Sequence, residues 1–331
     1  MPRRRLGAAG PSVGAVGYGA MSFSDFYGPA SDKGSMQVLD ACVELGVDHI
    51  DTSNVYGAGR SETVIGDWLR RRGGESPFVI ATKAGITRGA DGARRFDNSR
   101  AHLEAELDGS LRRLGVDAVD LFYVHRRDPD LPIEDVADAL GALVKAGKCR
   151  AIGFSEIAPS SLRRAHAVHP VAAVQSEYSL STRSPDLGLR QTCAELGVAL
   201  VAFSPLGRSL LTDAPHGAEK VADLPFVRVN PRFQEPNLSA NLAIVGRFQA
   251  LAAEMGEPAA ALAIAWLLTR GAHVLPIPGT RSIAHLREAA RGAEMTVSPE
   301  DIARIDAVLP VGWAHGDRYS AAQWVGPERY C

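Results

Sequence analysis

Short apolar runs and helix-length amphipathic segments alternate eight times along this chain, and that alternation restricts the fold more than any other feature. Strand-like runs are expected at 13–19, 47–51, 78–83, 121–125, 151–155, 172–175, 199–204 and 274–277. The amphipathic segments between them predict helices at 32–45, 61–71, 99–114, 133–146, 159–167, 186–196 and 238–255. A further helix, 258–270, precedes the last strand, and 283–291 and 299–308 follow it. Gly46, Gly115, Gly147 and Gly197 each stop a helix just before a strand, where a left-handed cap is favoured. Ser298-Pro299-Glu300-Asp301 reads as a helix start, with a capping serine, proline at the first position and acids in the first turn. Strand–helix repeats of this kind build a parallel sheet covered by helices. Eight of them in 331 residues predict an α/β protein, a single-domain (β/α)8 TIM barrel over 1–331. No linker divides the chain. Its longest irregular stretch is 212–236, and a loop of that length in a compact domain is usually functional or mobile. A doubly wound sheet would need a dinucleotide fingerprint near the N-terminus, but Gly14-Ala15-Val16-Gly17-Tyr18-Gly19 carries its glycines in reversed spacing, and no helix begins before about Asp32.

Composition narrows the partners. Hydrophobic residues make up 46% of the chain, enough for a large core. Charged residues make up 22% and the net charge is −2, so no general attraction to nucleic acid or membranes is expected. Pro2-Arg3-Arg4-Arg5-Leu6 is basic, but no apolar run follows it as in a signal peptide. No apolar stretch of about 18 residues predicts a spanning helix; the longest, 259–268, suits a buried one. Cys42, Cys149, Cys193 and Cys331 lack metal-ligand spacing and read as free thiols. Cytoplasmic residence is the default expectation, and no metal is expected.

Four ionisable residues sit just after expected strands. Asp51 ends Val47-Asp48-His49-Ile50-Asp51, and Tyr56 follows in the same loop. Lys83 ends Phe78-Val79-Ile80-Ala81-Thr82-Lys83, and His125 ends Leu121-Phe122-Tyr123-Val124-His125. A barrel delivers the C-terminal ends of its strands to one face, where these groups can meet. Each has a plainer reading alone: a helix-capping aspartate, a loop tyrosine, a structural histidine. Lysine is seldom internal without a partner. Together they supply a proton donor, an ammonium to stabilise its phenolate, a carboxylate to hold the ammonium, and an imidazole to orient a carbonyl oxygen.

With these residues in place, the chain resembles the aldo-keto reductase superfamily over nearly its whole length. The resemblance rests on Asp51-x-x-x-x-Tyr56-Gly57 followed by Lys83 and His125. Asp48-His49-Ile50-Asp51-Thr52-Ser53, Ala81-Thr82-Lys83-Ala84-Gly85 and Ile277-Pro278-Gly279-Thr280 are similar to the family's motifs as well. The nearest likeness is to bacterial and plant members acting on small aldehydes and quinone-like carbonyls. It implies NADPH-dependent reduction of a small-molecule carbonyl, with Tyr56 as general acid, Lys83 and Asp51 as its tuning pair and His125 orienting the substrate.

The same resemblance implies an N-terminal strand/hairpin segment, a C-terminal tail over the barrel mouth, and NADPH/NADP+ lying across that mouth. Ser155, Glu156 and Gln175 stand at the carboxamide positions, and Phe203 stands where an aromatic stacks on the nicotinamide. Ser204, Pro205, Leu206, Gly207 and Arg208 match the pyrophosphate loop. Gly279, Thr280 and Arg281 stand at the 2′-phosphate and Glu288 at the adenine. Three positions depart from the family: Glu156 replaces its usual asparagine, Ala289 another asparagine, and His285 a common arginine. Substrate walls are expected from Met21, Phe23, Phe26, Tyr27 and Tyr178, from the 212–236 loop, and from a C-terminal tail carrying Trp313, Tyr319 and Trp324. Two other activities fit the same residues. A class I aldolase-like enzyme would use Lys83 as a Schiff-base amine, and a non-catalytic regulatory subunit would only bind NADPH. A metal-dependent hydrolase is disfavoured because His49-Ile50-Asp51 is not a His-x-His pair.

Overall fold

The computed structural model describes residues 1–89 and 91–330, so Cys331 lies outside the described residues. The strands are β1 (Arg3–Arg5), β2 (Ser12–Gly14), β3 (Tyr18–Gly19), β4 (His49–Asp51), β5 (Val79–Ala84), β6 (Ile86–Arg88), β7 (Arg94–Phe96), β8 (Leu121–Val124), β9 (Ile152–Ser155), β10 (Val171–Glu177), β11 (Ala199–Phe203) and β12 (Val274–Pro276). Eight of them form one parallel sheet in the order β3-β4-β5-β8-β9-β10-β11-β12. Gly17 N–H donates to Pro276 O at 2.9 Å and Gly19 N–H to Pro278 O at 3.1 Å, which joins the last strand to the first and closes the barrel.

The helices are α1 (Asp32–Leu45), α2 (Arg60–Arg72), α3 (Arg100–Leu114), α4 (Ile133–Lys145), α5 (Pro159–Val168), α6 (Leu189–Leu196), α7 (Ala218–Ala222), α8 (Asn237–Glu254), α9 (Ala259–Leu268), α10 (Ile283–Arg291) and α11 (Pro299–Val308). Their ends follow local chemistry. Ser31 Oγ accepts from Gly34 N–H at 3.1 Å to start α1, and Gly46 ends it at φ 71°. Ser298 and Asp301 form a reciprocal capping box at α11. Helix α9 is apolar all round, and Ala259 through Leu267 are buried. No single helix among the described residues is long and apolar enough to cross a membrane.

Two layers of core result. Inside the barrel, Ala81, Leu121, Tyr123, Ala173, Ala199, Val201 and Leu275 pack together with Leu6 and Val13 of the β1–β2 hairpin. The larger cluster lies between strands and helices. The hairpin corrects one expectation. The run 13–19 is two elements: 12–14 pairs antiparallel with Arg3–Arg5, and only 18–19 enters the barrel. Arg4 fixes the hairpin by donating to the carbonyls of Leu268, Gly271 and Val274. The 212–236 stretch is also more ordered than its sequence suggests, containing α7 and a 3-10 turn at Pro231–Phe233.

Candidate active site

At the C-terminal ends of the strands lies a cavity of about 1470 Å³, running from Tyr56 and His125 to Glu288. Asp51 ends β4 with its side chain buried. Lys83, on β5, is fully buried. Its Nζ donates to Asp51 Oδ1 and, at 2.8 Å, to Thr52 O. The same ammonium lies 5.1 Å from the Tyr56 ring centroid, close enough for its charge to act on the phenol. Asp51 Oδ2 accepts from Gln175 Nε2 at 2.7 Å. His125 stands edge-on to Tyr56, with ring centroids 5.7 Å apart.

Burial and charge set the protonation states. Burial disfavours the Lys83 ammonium, but Asp51 and Tyr56 outweigh it, so its pKa is raised. Burial raises the Tyr56 pKa, and Lys83 opposes that rise without cancelling it. The phenol therefore remains protonated at neutral pH. Burial, Arg126 and Lys83 hold His125 well below the ordinary imidazole value, so the ring is neutral. Ser53 Oγ lies 3.1 Å from His125 Nδ1 and 3.1 Å from Lys83 O. When the hydroxyl hydrogen goes to Nδ1, the ring proton resides on Nε2, and Nε2 can donate to a carbonyl oxygen. Ser53 was not singled out from sequence, although it lies in the same loop as Asp51 and Tyr56.

The expected cofactor residues separate into two groups. Ser155, Gln175, Phe203, Ser204, Pro205, Leu206, Arg208, Gly279, Thr280, Arg281 and Glu288 line the cavity. The loop after β11 holds positive φ at Ser204 (48°), Gly207 (58°), Arg208 (55°) and Ser209 (87°). Non-glycine residues held there mark a backbone shaped for a ligand, and such conformations turn N–H groups toward an anion. That loop and the long cavity fit a dinucleotide. Arg281 donates to Tyr27 O at 2.7 Å and to Pro29 O at 2.5 Å, tying the 278–282 segment to the loop after β3.

Gly207 does not line the cavity, and neither does Glu156. Its carboxylate is buried, ion-paired with Arg318 of the tail, and accepts from Glu177 N–H at 2.8 Å. Glu177 in turn is paired with Arg208 at 2.6 Å. The expected contact between Glu156 and nicotinamide is therefore replaced by an internal ion network that binds the tail. Two expected substrate residues are also turned away. Phe23 is fully buried against Tyr18, with ring centroids 5.2 Å apart. Tyr178 is fully buried, donates to Asp186 at 2.6 Å and packs against Trp266. Met21 and Tyr27 do line the cavity, as do Phe26, Phe226 and Tyr319. Sequence reading missed the β6–β7 hairpin, which brings Arg88 and Arg94 to the mouth, and Arg126, which follows His125.

Comparison with known proteins agrees with this fold. The model of the Aldo/keto reductase family matches residues 15–310. "Aldo-keto reductase yakc [NADP(+)]" of Schizosaccharomyces pombe is 36% identical over 323 residues, covering 96% of this chain and 94% of its own. The structure of glycerol dehydrogenase AKR11B4 from Gluconobacter oxydans superposes with a TM-score of 0.81 at 26% identity, over 93% of this chain and 94% of that one. A thermostable aldo-keto reductase, Tm1743, solved with the inhibitor epalrestat, gives a TM-score of 0.74 at 27% identity, over 93% of this chain and 100% of its own.

Proposed function

The chain belongs to the aldo/keto reductase family, and from that premise we propose that it reduces aldehydes, ketones or quinone-like carbonyls to alcohols with NADPH, Tyr56 giving the proton. The observation that carries this reading is the buried Lys83–Asp51 pair beside a protonated Tyr56 and a neutral His125 in one cavity. NADPH, when bound, supplies the hydride. Tyr56 donates its hydroxyl proton to the carbonyl oxygen as that oxygen gains charge. Lys83 stabilises the phenolate left behind, and Asp51, held by Gln175, keeps the ammonium aimed at Tyr56. His125 orients the same oxygen from Nε2, with Ser53 holding the other ring nitrogen.

Several features support NADPH as the coenzyme. The yeast relative carries NADP(+) in its name. Thr280, Arg281 and His285 line the far end of the cavity, where a guanidinium suits a phosphate. The Schiff-base alternative needs a neutral amine, whereas the paired carboxylate keeps Lys83 charged. Replacing Tyr56 by Phe tests the main reading and the regulatory-subunit alternative together. Carbonyl-dependent NADPH oxidation by the wild type is expected to fall at least about 100-fold in the variant, with NADPH binding retained by fluorescence titration. Near-wild-type turnover in the variant refutes the role of Tyr56, and a wild type inert toward a panel of aldehydes, ketones and quinones favours the regulatory subunit.

A further inference from the structure

The reactive end of the cavity carries more positive charge than a neutral carbonyl uses. Arg126 lines the cavity next to His125 and is only 8% exposed. Its Nη1 donates to His125 O at 2.6 Å and to Ser155 Oγ at 2.9 Å. Its Nε is buried and has no hydrogen-bond partner, and no carboxylate pairs with this guanidinium among the described residues. Arginine is almost never buried without a counter-ion, because desolvation of the cation is not repaid.

A second cation sits at the rim of the same end. Arg94 on β7 lines the cavity, and its guanidinium rests over the Phe96 ring at 5.3 Å. It makes neither a hydrogen bond nor an ion pair among the described residues. Partial loss of hydration and the charge of Arg126 push its pKa down to about 10, so it remains charged at neutral pH. Among the described residues, the guanidinium of Arg88, also lining, donates only to Gly92 O at 3.1 Å. The carboxylates nearby are already engaged. Asp51 is held by Lys83 and Gln175, and Glu106 accepts from Asn54 Nδ2 at 2.6 Å. Arg113 is neutralised by Glu62 at 2.6 Å.

We infer that the carbonyl substrate carries a carboxylate, which settles against Arg126 and Arg94 while the carbonyl group reaches Tyr56 and His125. The substrate class is an oxo acid or carboxylated aldehyde, and the product is the matching hydroxy acid. This rests on the reductase reading and deepens it. The reaction adds a hydride to the carbonyl carbon and the Tyr56 proton to the carbonyl oxygen, breaking the C=O π bond. The carboxylate is unchanged and serves only for binding and orientation. Phe26, Phe226 and Tyr319 pack on one another in the lining of the same cavity and offer an apolar wall to the carbon skeleton.

The test compares 4-formylbenzoate with its methyl ester, which differ in charge but share the reacting aldehyde. Wild-type kcat/KM is expected to favour the acid by at least about 10-fold, the range of one charge-assisted hydrogen bond. Arg94→Gln should bring the acid-to-ester ratio toward one, and Arg94→Lys should restore much of it. Raising the salt concentration should shrink the wild-type ratio, since Arg94 is exposed. Calorimetric titration of both compounds into the NADP+-loaded protein reads the same ratio without turnover, so loss of the reductase reading and loss of this inference remain separable. Equal handling of acid and ester, or a ratio untouched by Arg94→Gln, overturns the inference. So does a clear preference for 4-formylphenyl phosphate over 4-formylbenzoate, which would make the site one for phosphate.

Discussion

Lys83→Met tests the tuning of the proton donor most directly. The ammonium lies 5.1 Å from the Tyr56 ring centroid. At the effective dielectric that describes buried sites, a unit charge at that distance stabilises the phenolate by about 3 kcal/mol, on the order of 100-fold in the phenol–phenolate equilibrium. Methionine keeps the length and apolar stem of lysine and removes the charge. Asp51, left without its ammonium, repels the phenolate and acts in the same direction. The Tyr56 pKa, already raised by burial, must rise further, which makes the phenol a weaker acid and the phenolate scarcer. If about half of that energy is expressed in the proton-transfer transition state, turnover at pH 7 falls roughly tenfold. Carbonyl reduction and alcohol oxidation should fall together, because the enzyme cannot move the overall equilibrium. In alcohol oxidation, which needs the phenolate, the rising limb of the pH–rate profile should move to higher pH. Lys83→Arg, which keeps a cation, should move it less. Stopped-flow measurement across pH 7–10, with thermal melts to confirm folding, provides the check. A limb and a rate that stay in place in Lys83→Met would show that the pair is structural and that Tyr56 is not tuned by charge.

Two further outcomes follow from the cavity walls. Arg281→Ala should weaken NADPH by about tenfold more than NADH, while a smaller loss common to both reports the severed bonds to Tyr27 O and Pro29 O; equal losses by fluorescence titration would mean that Arg281 only supports the loop. Arg318→Ala strands the buried carboxylate of Glu156, while Glu177 keeps Arg208, and should cost about 3–5 kcal/mol in urea unfolding, with Glu156→Gln in the same chain recovering part of it. Burial pushes both carboxyls upward, but the arginines prevail and hold them below their ordinary range, so this stabilisation is present above pH about 4.3 and is lost as pH falls below it; a stability unchanged in Arg318→Ala would show that the network contributes nothing.

The barrel was legible because its determinants are local and repeated. Each strand is a short apolar run, and glycine caps such as Gly46 and Gly115 mark where a helix gives way to the next strand. Where local signals mislead, the reason is physical. Val13 has the pattern of a barrel strand, yet it faces the barrel interior from outside the ring, paired with the cationic strand Arg3–Arg5. The β6–β7 hairpin shows no alternating apolar face because it lies over the mouth and covers no core.

The residues we propose for catalysis were legible for a related reason. Asp51 ends β4, Lys83 is the last residue but one of β5 and His125 directly follows β8, so strand register alone brings them to one end of the barrel. The walls obey no such rule. Phe23 also follows a strand, but the 3-10 turn Ala20–Phe23 swings its ring back onto Tyr18. Tyr178 lies just past β10, and Asp186, eight residues on, draws its hydroxyl away from the cavity. Glu156 has a partner 162 residues further along the chain. A carboxylate at a position where a neutral amide is usual reads as a cofactor contact only while that partner is unknown. Once Arg318 neutralises it, the same substitution becomes the anchor of the tail. Because Tyr319 is the next residue and lines the cavity, the ion pair that holds Glu156 away from that cavity also sets one of its walls.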